Sequence, residues 1–231
     1  MPFKKLKHNN SNFKLSYECK NWFSLPEKDV YDFIDLINID TDIFYDLGAA
    51  EGRFTVYSQV KGIKTYSFEP DCYNYEVLEN NVNNNINKNN VKIYKVAISD
   101  VNKKLYLLKQ QPFKGGHLKI LENGERISTI NIEEKEEVNA VILDDFIEKN
   151  SLPYPTHIKV DIDGNELNFI KSSKKVLTHT KYIHIELTTK SKDIILDELN
   201  KYGFKILKEI DIFSTDGTKY KDIKNYILYK G

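Results

Sequence analysis

The sequence predicts an α/β fold in which a mostly parallel sheet carries helices on both faces. A short run of apolar and β-favouring residues ends in Asp46, passes through a turn containing two glycines and leads into a helical pattern. A second short strand, within residues 64–70, then ends in an acid, Glu69. Later apolar strands alternate with helical patterns, which is typical of βαβ units; they cover residues 91–98, 157–161 and 181–187.

The remaining segments are assigned in chain order around this sheet. Residues 1–23 are polar with scattered aromatic side chains and are expected to form an irregular arm. The stretch Ser24-Leu25-Pro26-Glu27 fits a capping box that starts a helix before the first strand. Residues 103–143 interrupt the alternation of strands and helices, and their pattern predicts an inserted β element before strand four. The segments 204–209 and 225–229 predict an antiparallel pair at the sheet edge.

Composition limits the classes of protein to consider. The 231 residues suit one domain covering residues 1–231, in which residues 1–40 form the arm and first helix and residues 41–231 form the core. Lys plus Arg and Asp plus Glu are 34 each, so the overall charge gives no sign of nucleic-acid binding. The two cysteines have no metal-type spacing, and no apolar run is long enough to span a membrane. We therefore expect a cytoplasmic protein with no membrane span.

The turn after the first strand, Gly48-Ala49-Ala50-Glu51-Gly52, is the first candidate binding site. Its Gly-x-x-x-Gly spacing differs from the Gly-x-Gly-x-x-Gly spacing of dinucleotide-binding turns. Small residues here are typical of the first loop of S-adenosylmethionine-dependent methyltransferases, where the backbone approaches the methionine half of the cofactor. Asp46 then lies near the position of the cofactor's ammonium group. The alternative is a tight turn that binds nothing.

Glu69 lies about 20 residues beyond the glycine turn, at the end of the second strand. An acid at this place in a βαβ unit can accept hydrogen bonds from ribose hydroxyls. The alternative is a solvated glutamate at a strand end. The combination of Glu69 with the glycine turn favours the ribose role.

The stretch from Lys159 to Glu166 places three carboxylates around one glycine at the end of strand four, and strand five again ends in an acid, Glu186. If the chain transfers a methyl group to a hydroxyl, a base must accept the proton of that hydroxyl. We expect the catalytic residues to be Asp161, Asp163 and Glu186, while His117 and His184 are weaker candidates for the base. Alternatively, the three acids hold a divalent cation that binds the acceptor oxygens.

With these segments in order, the sequence resembles the FkbM family of methyltransferases. The resemblance spans about residues 41–187 and rests on the glycine turn, Phe68-Glu69-Pro70, the region 81–85, Ala97-Ile98-Ser99, Leu143-Asp144, the stretch 159–166 and Ile185-Glu186. Two positions depart from the family pattern. Ala50 stands where the family usually has Asn, and Asp163 where it usually has Glu, so one cofactor contact is weakened and one carboxylate has a shorter reach.

The resemblance implies a class I methyltransferase (Rossmann-like) sheet of seven strands with S-adenosylmethionine as methyl donor. It implies O-methylation of a sugar, a glycan or another small-metabolite hydroxyl, and we expect the insert to cover this acceptor. An acceptor of another class, such as RNA or protein, and a nonenzymatic binding module are the alternatives. The expected cofactor-binding residues are Asp46, Gly48, Ala49, Ala50, Glu51, Gly52, Glu69, Pro70, Ala97, Ile98, Ser99 and Asp161.

Overall fold

A seven-stranded sheet forms the centre of the computed structural model, which describes residues 2–24, 27–125, 131–213 and 218–231. In chain order the described strands are β1 Phe3–His8, β2 Ser11–Ser16, β3 Ile43–Leu47, β4 Lys64–Phe68, β5 Val91–Tyr94, β6 Ala97–Ile98, β7 Lys103–Lys109, β8 Lys119–Leu121, β9 Glu134–Val141, β10 His157–Val160, β11 Tyr182–Thr188, β12 Lys205–Phe213 and β13 Lys219–Tyr229. The α-helices are α1 Lys28–Asp35, α2 Arg53–Val60, α3 Cys72–Asn83, α4 Leu143–Lys149, α5 Glu166–Ser172, α6 Lys174–His179 and α7 Lys192–Lys201.

The central sheet has the order β12-β13-β11-β10-β3-β4-β5. The five strands β11, β10, β3, β4 and β5 run parallel to one another, whereas β13 is antiparallel to both β11 and β12. The predicted α/β fold with a mostly parallel sheet and an antiparallel edge pair is therefore confirmed. Because β3 and β10 are central neighbours, the loops that follow them meet at one edge of the sheet.

Two hydrophobic cores cover the two faces of this sheet. Alternate residues of β3 face opposite sides, so that Phe44 joins the core beneath α1, α2 and α3, while Tyr45 joins the core beneath α4 to α7. The central parallel strands are buried on both faces, which explains their nearly continuous apolar sequences. In the described parts of the chain, no helix has the length and apolar character needed to cross a membrane.

The N-terminal segment is a β-hairpin followed by a 3-10 helix, Tyr17–Trp22, rather than the irregular arm that was predicted. Phe13 and Leu15 alternate with polar residues along β2, and both are buried against the core beneath α2 and α3. Asn9 makes the turn with a positive φ of 46°, a conformation that asparagine tolerates well. Leu25 and Pro26 of the predicted capping box lie outside the described residues.

The insert forms a second, four-stranded sheet with the order β6-β9-β7-β8. β7 pairs antiparallel with both β8 and β9, and β6 joins it through a parallel pairing with β9. The short strand β6 follows β5 after two residues, so the second sheet is attached beside the β5 edge of the central sheet.

Candidate functional site

A cavity of about 390 Å³ lies where the parallel strands of the central sheet end. The residues that line it come from the glycine turn, the ends of β4, β10 and β11, the start of α1, the insert and the β12–β13 edge pair. The term "turn half" denotes the part of the cavity that lies next to the glycine turn, Glu69 and the insert. The part next to Glu186 and the β12–β13 pair is called the hairpin half. The loop after β10 lies between them, because β10 is central in the sheet.

The glycine turn closes on its neighbours through the backbone. The N–H groups of Gly48 and Ala49 both donate to the carbonyl oxygen of Phe68 at 3.0 Å. Gly48 has a φ of 75°, and a Cβ atom there would lie 1.7 Å from the carbonyl oxygen of Asp161. The turn therefore requires glycine at this position both for its conformation and for the close approach of two loops.

Glu69 is only 5% exposed and lines the cavity. Its carboxylate accepts hydrogen bonds from the N–H of Ala50 at 2.8 Å and from the N–H of Asp71 at 2.9 Å. Burial is the main cause that raises the pKa of Glu69 to about 7, while nearby Lys119 acts in the opposite direction. The carboxylate is thus fixed by the backbone beside the glycine turn, as the ribose role requires.

The insert borders the turn half of the cavity. The Nζ of Lys119 lies 2.7 Å from Asp71, and the Nδ2 of Asn74 donates to the carbonyl of Gly116 at 3.1 Å. His117 faces the glycine turn, with its Nε2 at 3.8 Å from the Oε1 of Glu51. The described residues of the insert thus contact the turn half, and the expectation that the insert covers the acceptor stays a prediction.

A buried lysine, Lys109, fastens the insert to α3. Its Nζ lies 2.8 Å from carboxylate oxygens of Asp71, Glu134 and Glu136, and 3.7 Å from the Sγ of Cys72. Burial alone would lower the pKa of Lys109, but hydrogen bonds to these carboxylates raise it above its ordinary value. Asp71, Cys72 and Glu136 are the one metal-like group of ligand atoms within the described ranges, and the ammonium of Lys109 lies against all three.

The three predicted catalytic acids all line the same cavity. Strands β10 and β11 are parallel neighbours in which Val160 pairs with Ile185, so the residues that follow, Asp161 and Glu186, lie side by side. Asp163 adopts a positive φ of 50° in the loop after β10. Among the residues that the structure describes, the carboxylate oxygens of these acids do not form a group of three ligand atoms within 4.8 Å of one another. This arrangement differs from the alternative in which all three acids hold one cation.

Lys159 is a site residue that the sequence analysis did not single out. Its Nζ donates to the carbonyl of Gly48 at 3.0 Å and lies 3.4 Å from carboxylate oxygens of both Asp46 and Asp161. Burial lowers the pKa of Lys159, but the carboxylates of Asp161, Asp46 and Glu27 outweigh it and raise the pKa. A lysine within a buried central strand is the sequence signal that indicates such a role.

Three residues that were expected to bind the cofactor do not line the cavity. Asp46 is fully buried beneath α2, where it accepts a hydrogen bond from the Oγ1 of Thr55 at 2.7 Å. Gly52 allows α2 to pack on α3, since a Cβ atom there would lie 2.4 Å from Leu78 Cδ1. Ser99 is buried and accepts a hydrogen bond from the Nδ2 of Asn123. The nine others reach the cavity: Gly48, Ala49, Ala50, Glu51, Glu69, Pro70, Ala97, Ile98 and Asp161.

The two histidines proposed as bases lie in different places. His184 is buried, and its Nε2 lies 2.7 Å from the carboxylate of Asp29 in α1, away from the cavity lining. The carboxylate of Asp29 also accepts a hydrogen bond from the Nδ2 of Asn225 at 3.0 Å. These contacts hold the start of α1 over β11 and β13, and Glu27 at this helix start forms an ion pair with Arg53 at the cavity wall.

Comparison with known proteins agrees with this architecture. The sequence model of the methyltransferase FkbM domain matches residues 46–206. Among solved structures, a precorrin-6y C5,15-methyltransferase from Geobacter metallireducens has a TM-score of 0.54 at 9% identity, covering 95% of this chain and 93% of its own. The human methyltransferase 10 domain containing protein has a TM-score of 0.52 at 13% identity, with 88% and 79% covered. P. horikoshii TYW2 in complex with MeSAdo has a TM-score of 0.51 at 14% identity, with 99% and 72% covered.

At these identities the solved structures establish the shared fold alone. Two of the three are named as methyltransferases, and all three share the fold over most of this chain. Among curated protein sequences, no relative matches the chain.

Proposed function

Because the chain belongs to the FkbM methyltransferase family, we propose that it is an S-adenosylmethionine-dependent O-methyltransferase for a hydroxyl of a sugar, a glycan or another small metabolite. The observation that carries this proposal is one cavity with two kinds of lining. The glycine turn and Glu69 line its turn half, while Asp161 and Glu186 lie at neighbouring strand ends next to its hairpin half.

The residues of the turn half fit S-adenosylmethionine. The backbone of residues 48–51 is free of bulky side chains at Gly48, Ala49 and Ala50, which allows close approach of a ligand. Glu69 is oriented by two backbone N–H groups, and its oxygens retain lone pairs that can accept hydrogen bonds from ribose hydroxyls. When bound, this cofactor supplies a methyl group activated by a positively charged sulfur.

The chain's own contribution to the reaction is alignment and proton transfer. Holding the acceptor oxygen in line with the methyl group lowers the entropic part of the barrier. Asp161 or Glu186 would accept the proton of the hydroxyl as its oxygen takes the methyl group and the methyl–sulfur bond of the donor breaks. The ammonium of Lys159, at 3.4 Å, holds the carboxylate of Asp161 in place and links it to the glycine turn through the carbonyl of Gly48.

Two measurements test the proposal. Calorimetric titration with S-adenosylmethionine, S-adenosylhomocysteine and NAD should detect the first two ligands only, because the turn lacks the dinucleotide spacing. Methyl transfer from labelled S-adenosylmethionine to pooled nucleotide-sugars and glycans should then label a sugar hydroxyl. Binding of NAD with no signal for S-adenosylmethionine overturns the cofactor assignment. Labelling of RNA or protein with none of glycans overturns the acceptor assignment.

A further inference from the structure

We propose that the ion pair between Glu27 and Arg53 binds the amino-acid group of S-adenosylmethionine. In this arrangement Glu27 accepts hydrogen bonds from the ammonium group of the ligand, and Arg53 donates to its carboxylate. The inference rests on the proposed function and adds to it the residues that recognise one end of the methyl donor. It replaces the sequence-based expectation that Asp46 lies near the ammonium group.

Asp46 lies behind the cavity wall rather than in it. Its side chain is fully buried, accepts a hydrogen bond from the Oγ1 of Thr55 at 2.7 Å and lies 3.4 Å from the Nζ of Lys159. Asp46 does not line the cavity. The ammonium group of a ligand in the cavity therefore needs another acid as its partner.

Glu27 and Arg53 form their ion pair in the cavity wall, beside the glycine turn. Both residues line the cavity, where 23% of the Glu27 side chain and 11% of the Arg53 side chain remain accessible. Arg53 directly follows Gly52, and its Cζ lies 4.2 Å from the centroid of the Phe54 ring. This cation–π contact helps to fix the guanidinium. The pair is thus an ordered and accessible part of the wall.

Glu27 has a strained backbone at the point where its side chain reaches the cavity. It precedes α1 with a φ of 57°, a left-handed conformation that is uncommon and costly for a residue other than glycine. Its carboxylate makes no capping hydrogen bond to the start of α1 and pairs with Arg53 instead. Strain of this kind is concentrated at functional sites, so it supports a binding role for Glu27.

The strand order places this pair on the opposite side of the glycine turn from Glu69. Glu69 follows β4, and the glycine turn follows the neighbouring strand β3. Asp29, two residues after Glu27, contacts His184 of β11, which lies beyond β3 and β10. In S-adenosylmethionine the adenine and the amino-acid group extend from opposite sides of the ribose. A cofactor with its ribose at Glu69 and its adenine toward β6 therefore directs its amino-acid group across the turn, toward the ion pair.

The charges of the pair match those of the ligand group. The ammonium and the carboxylate of an amino acid lie close together, so an ion pair can bind both in a head-to-tail arrangement. A carboxylate accepts several hydrogen bonds and a guanidinium donates up to five, so each side chain can serve its partner and the ligand together. Because the pair and the amino-acid group each have zero net charge, binding brings no unbalanced charge into the site.

The neighbouring pair of Lys159 and Asp161 is the alternative site for this group. An ammonium has three N–H donors, and the Nζ of Lys159 already has three oxygen neighbours, from Gly48, Asp46 and Asp161. Lys159 is thus less suited than Arg53 to bind a carboxylate. Asp161 alone can accept the ammonium, and the experiment below distinguishes it from Glu27.

A calorimetric experiment tests this inference without measuring methyl transfer. The full chain is titrated with S-adenosylhomocysteine and with 5′-methylthioadenosine, which has the same adenosine part but no amino-acid group. We expect Glu27→Gln and Arg53→Gln each to weaken the binding of S-adenosylhomocysteine by about 10- to 100-fold. The affinity of both variants for 5′-methylthioadenosine should stay unchanged, which also shows that the turn half is intact.

The ion pair between Asp35 and Lys61 provides the matched control. It connects the other ends of α1 and α2, 23% of each side chain is accessible, and neither residue lines the cavity. Asp35→Asn and Lys61→Gln should leave the affinities for both ligands unchanged. Decarboxylated S-adenosylmethionine then separates the two roles within the site. Because it keeps the ammonium but lacks the carboxylate, Glu27→Gln should weaken its binding and Arg53→Gln should not.

The pattern of affinities separates the possible failures. If the wild-type chain does not bind S-adenosylhomocysteine, the proposed function itself is wrong. If it binds both ligands equally well, or if Glu27→Gln and Arg53→Gln weaken both ligands alike, the pair does not recognise the amino-acid group and the inference is wrong. Selective loss in Asp161→Asn but not in Glu27→Gln places the ammonium at Asp161 and also overturns it. Loss of S-adenosylhomocysteine alone in Glu27→Gln and Arg53→Gln supports the inference.

Discussion

Gly48 and Asp161 belong to loops that follow neighbouring strands, and the backbones of these loops touch. A Cβ atom added to Gly48 would lie 1.7 Å from the carbonyl oxygen of Asp161, and Gly48 also has a φ of 75°. We expect Gly48→Ala to lower the free energy of unfolding by about 2–4 kcal/mol, because overpacking and a left-handed backbone both cost free energy. Urea unfolding measures this change.

Gly62 provides the matched control, because it has a φ of 86° but no atom within 4 Å of the position of a Cβ. Gly62→Ala meets only the backbone cost, about 1 kcal/mol. Equal losses in the two variants would contradict the close approach of the two loops.

The side chain of Glu69 is the second test. Glu69→Ala should weaken the binding of S-adenosylmethionine about 10- to 150-fold, because hydrogen bonds to a charged group contribute about 1.5–3 kcal/mol. Glu79→Ala, at an exposed position of α3, should leave the affinity unchanged. Calorimetry measures both. An unaltered dissociation constant for Glu69→Ala would show that the carboxylate does not hold the ribose.

The raised pKa of Glu69 predicts a pH-dependent stability in the ligand-free protein. A pKa of about 7 in the folded state, above the ordinary 4.5, means that the folded protein binds this proton more tightly than the unfolded chain. The stabilisation is complete below about pH 4.5 and is lost as the pH rises through about 7. Between about pH 5 and pH 8, the wild-type protein should lose about 2.5 kcal/mol more unfolding free energy than Glu69→Gln. Parallel pH profiles of the two proteins would contradict the raised pKa.

Substitutions of two lysines of β7 test the ion pairs that Lys109 forms with Asp71, Glu134 and Glu136. Lys109→Met leaves Asp71, Glu134 and Glu136 without their shared cation and should reduce the free energy of unfolding by about 3–5 kcal/mol. Lys104 lies on the same strand as Lys109, and Lys104→Met removes only an exposed ion pair with Glu137 of β9, so this variant should leave the free energy of unfolding almost unchanged. Chemical denaturation of both variants provides the comparison. Similar small losses would mean that the buried pairs contribute little to holding the insert.

The predicted base is tested by amide substitutions. If Asp161 or Glu186 accepts the hydroxyl proton, Asp161→Asn or Glu186→Gln should lower turnover by about 10²–10⁴ while the affinity for S-adenosylhomocysteine is retained. Asp163→Asn tests the third predicted catalytic acid in the same way. Single-turnover methyl transfer and calorimetry distinguish the two effects. Loss of activity with a chelator and its return with Mg²⁺ would instead favour metal assistance.

The sequence predicts the parts of this site that depend on strand order. Glu69, Asp161 and Glu186 end parallel strands, so their arrival at one edge of the sheet follows from the βαβ pattern alone. Asp46 also ends such a strand, but the packing of α2 over it decides that its carboxylate turns toward Thr55 and Lys159. No local sequence pattern predicts how α2 packs over Asp46.

Other site residues depend on contacts between distant parts of the chain. The position of Lys159 in a buried strand marks it in the sequence, but its three oxygen partners, which come from β3 and from the loops after β3 and β10, are known only from the structure. Phe213 and Tyr220 lie more than 25 residues beyond Glu186, and only the position of the β12–β13 pair beside β11 brings them to the cavity. The packing of the insert against α3 also depends on distant contacts. Lys109 and Lys119 of the insert both form ion pairs with Asp71, which directly precedes α3.

The cover that the insert places over the turn half has a kinetic consequence. Its described residues contact Asp71, Asn74 and Gly164, so a ligand held by Glu69 lies next to them. We expect an acceptor bound beside Asp161 and Glu186 to restrict the remaining way out for that ligand. We therefore expect an ordered sequence in which the methyl donor enters before the acceptor and the methylated sugar leaves before S-adenosylhomocysteine.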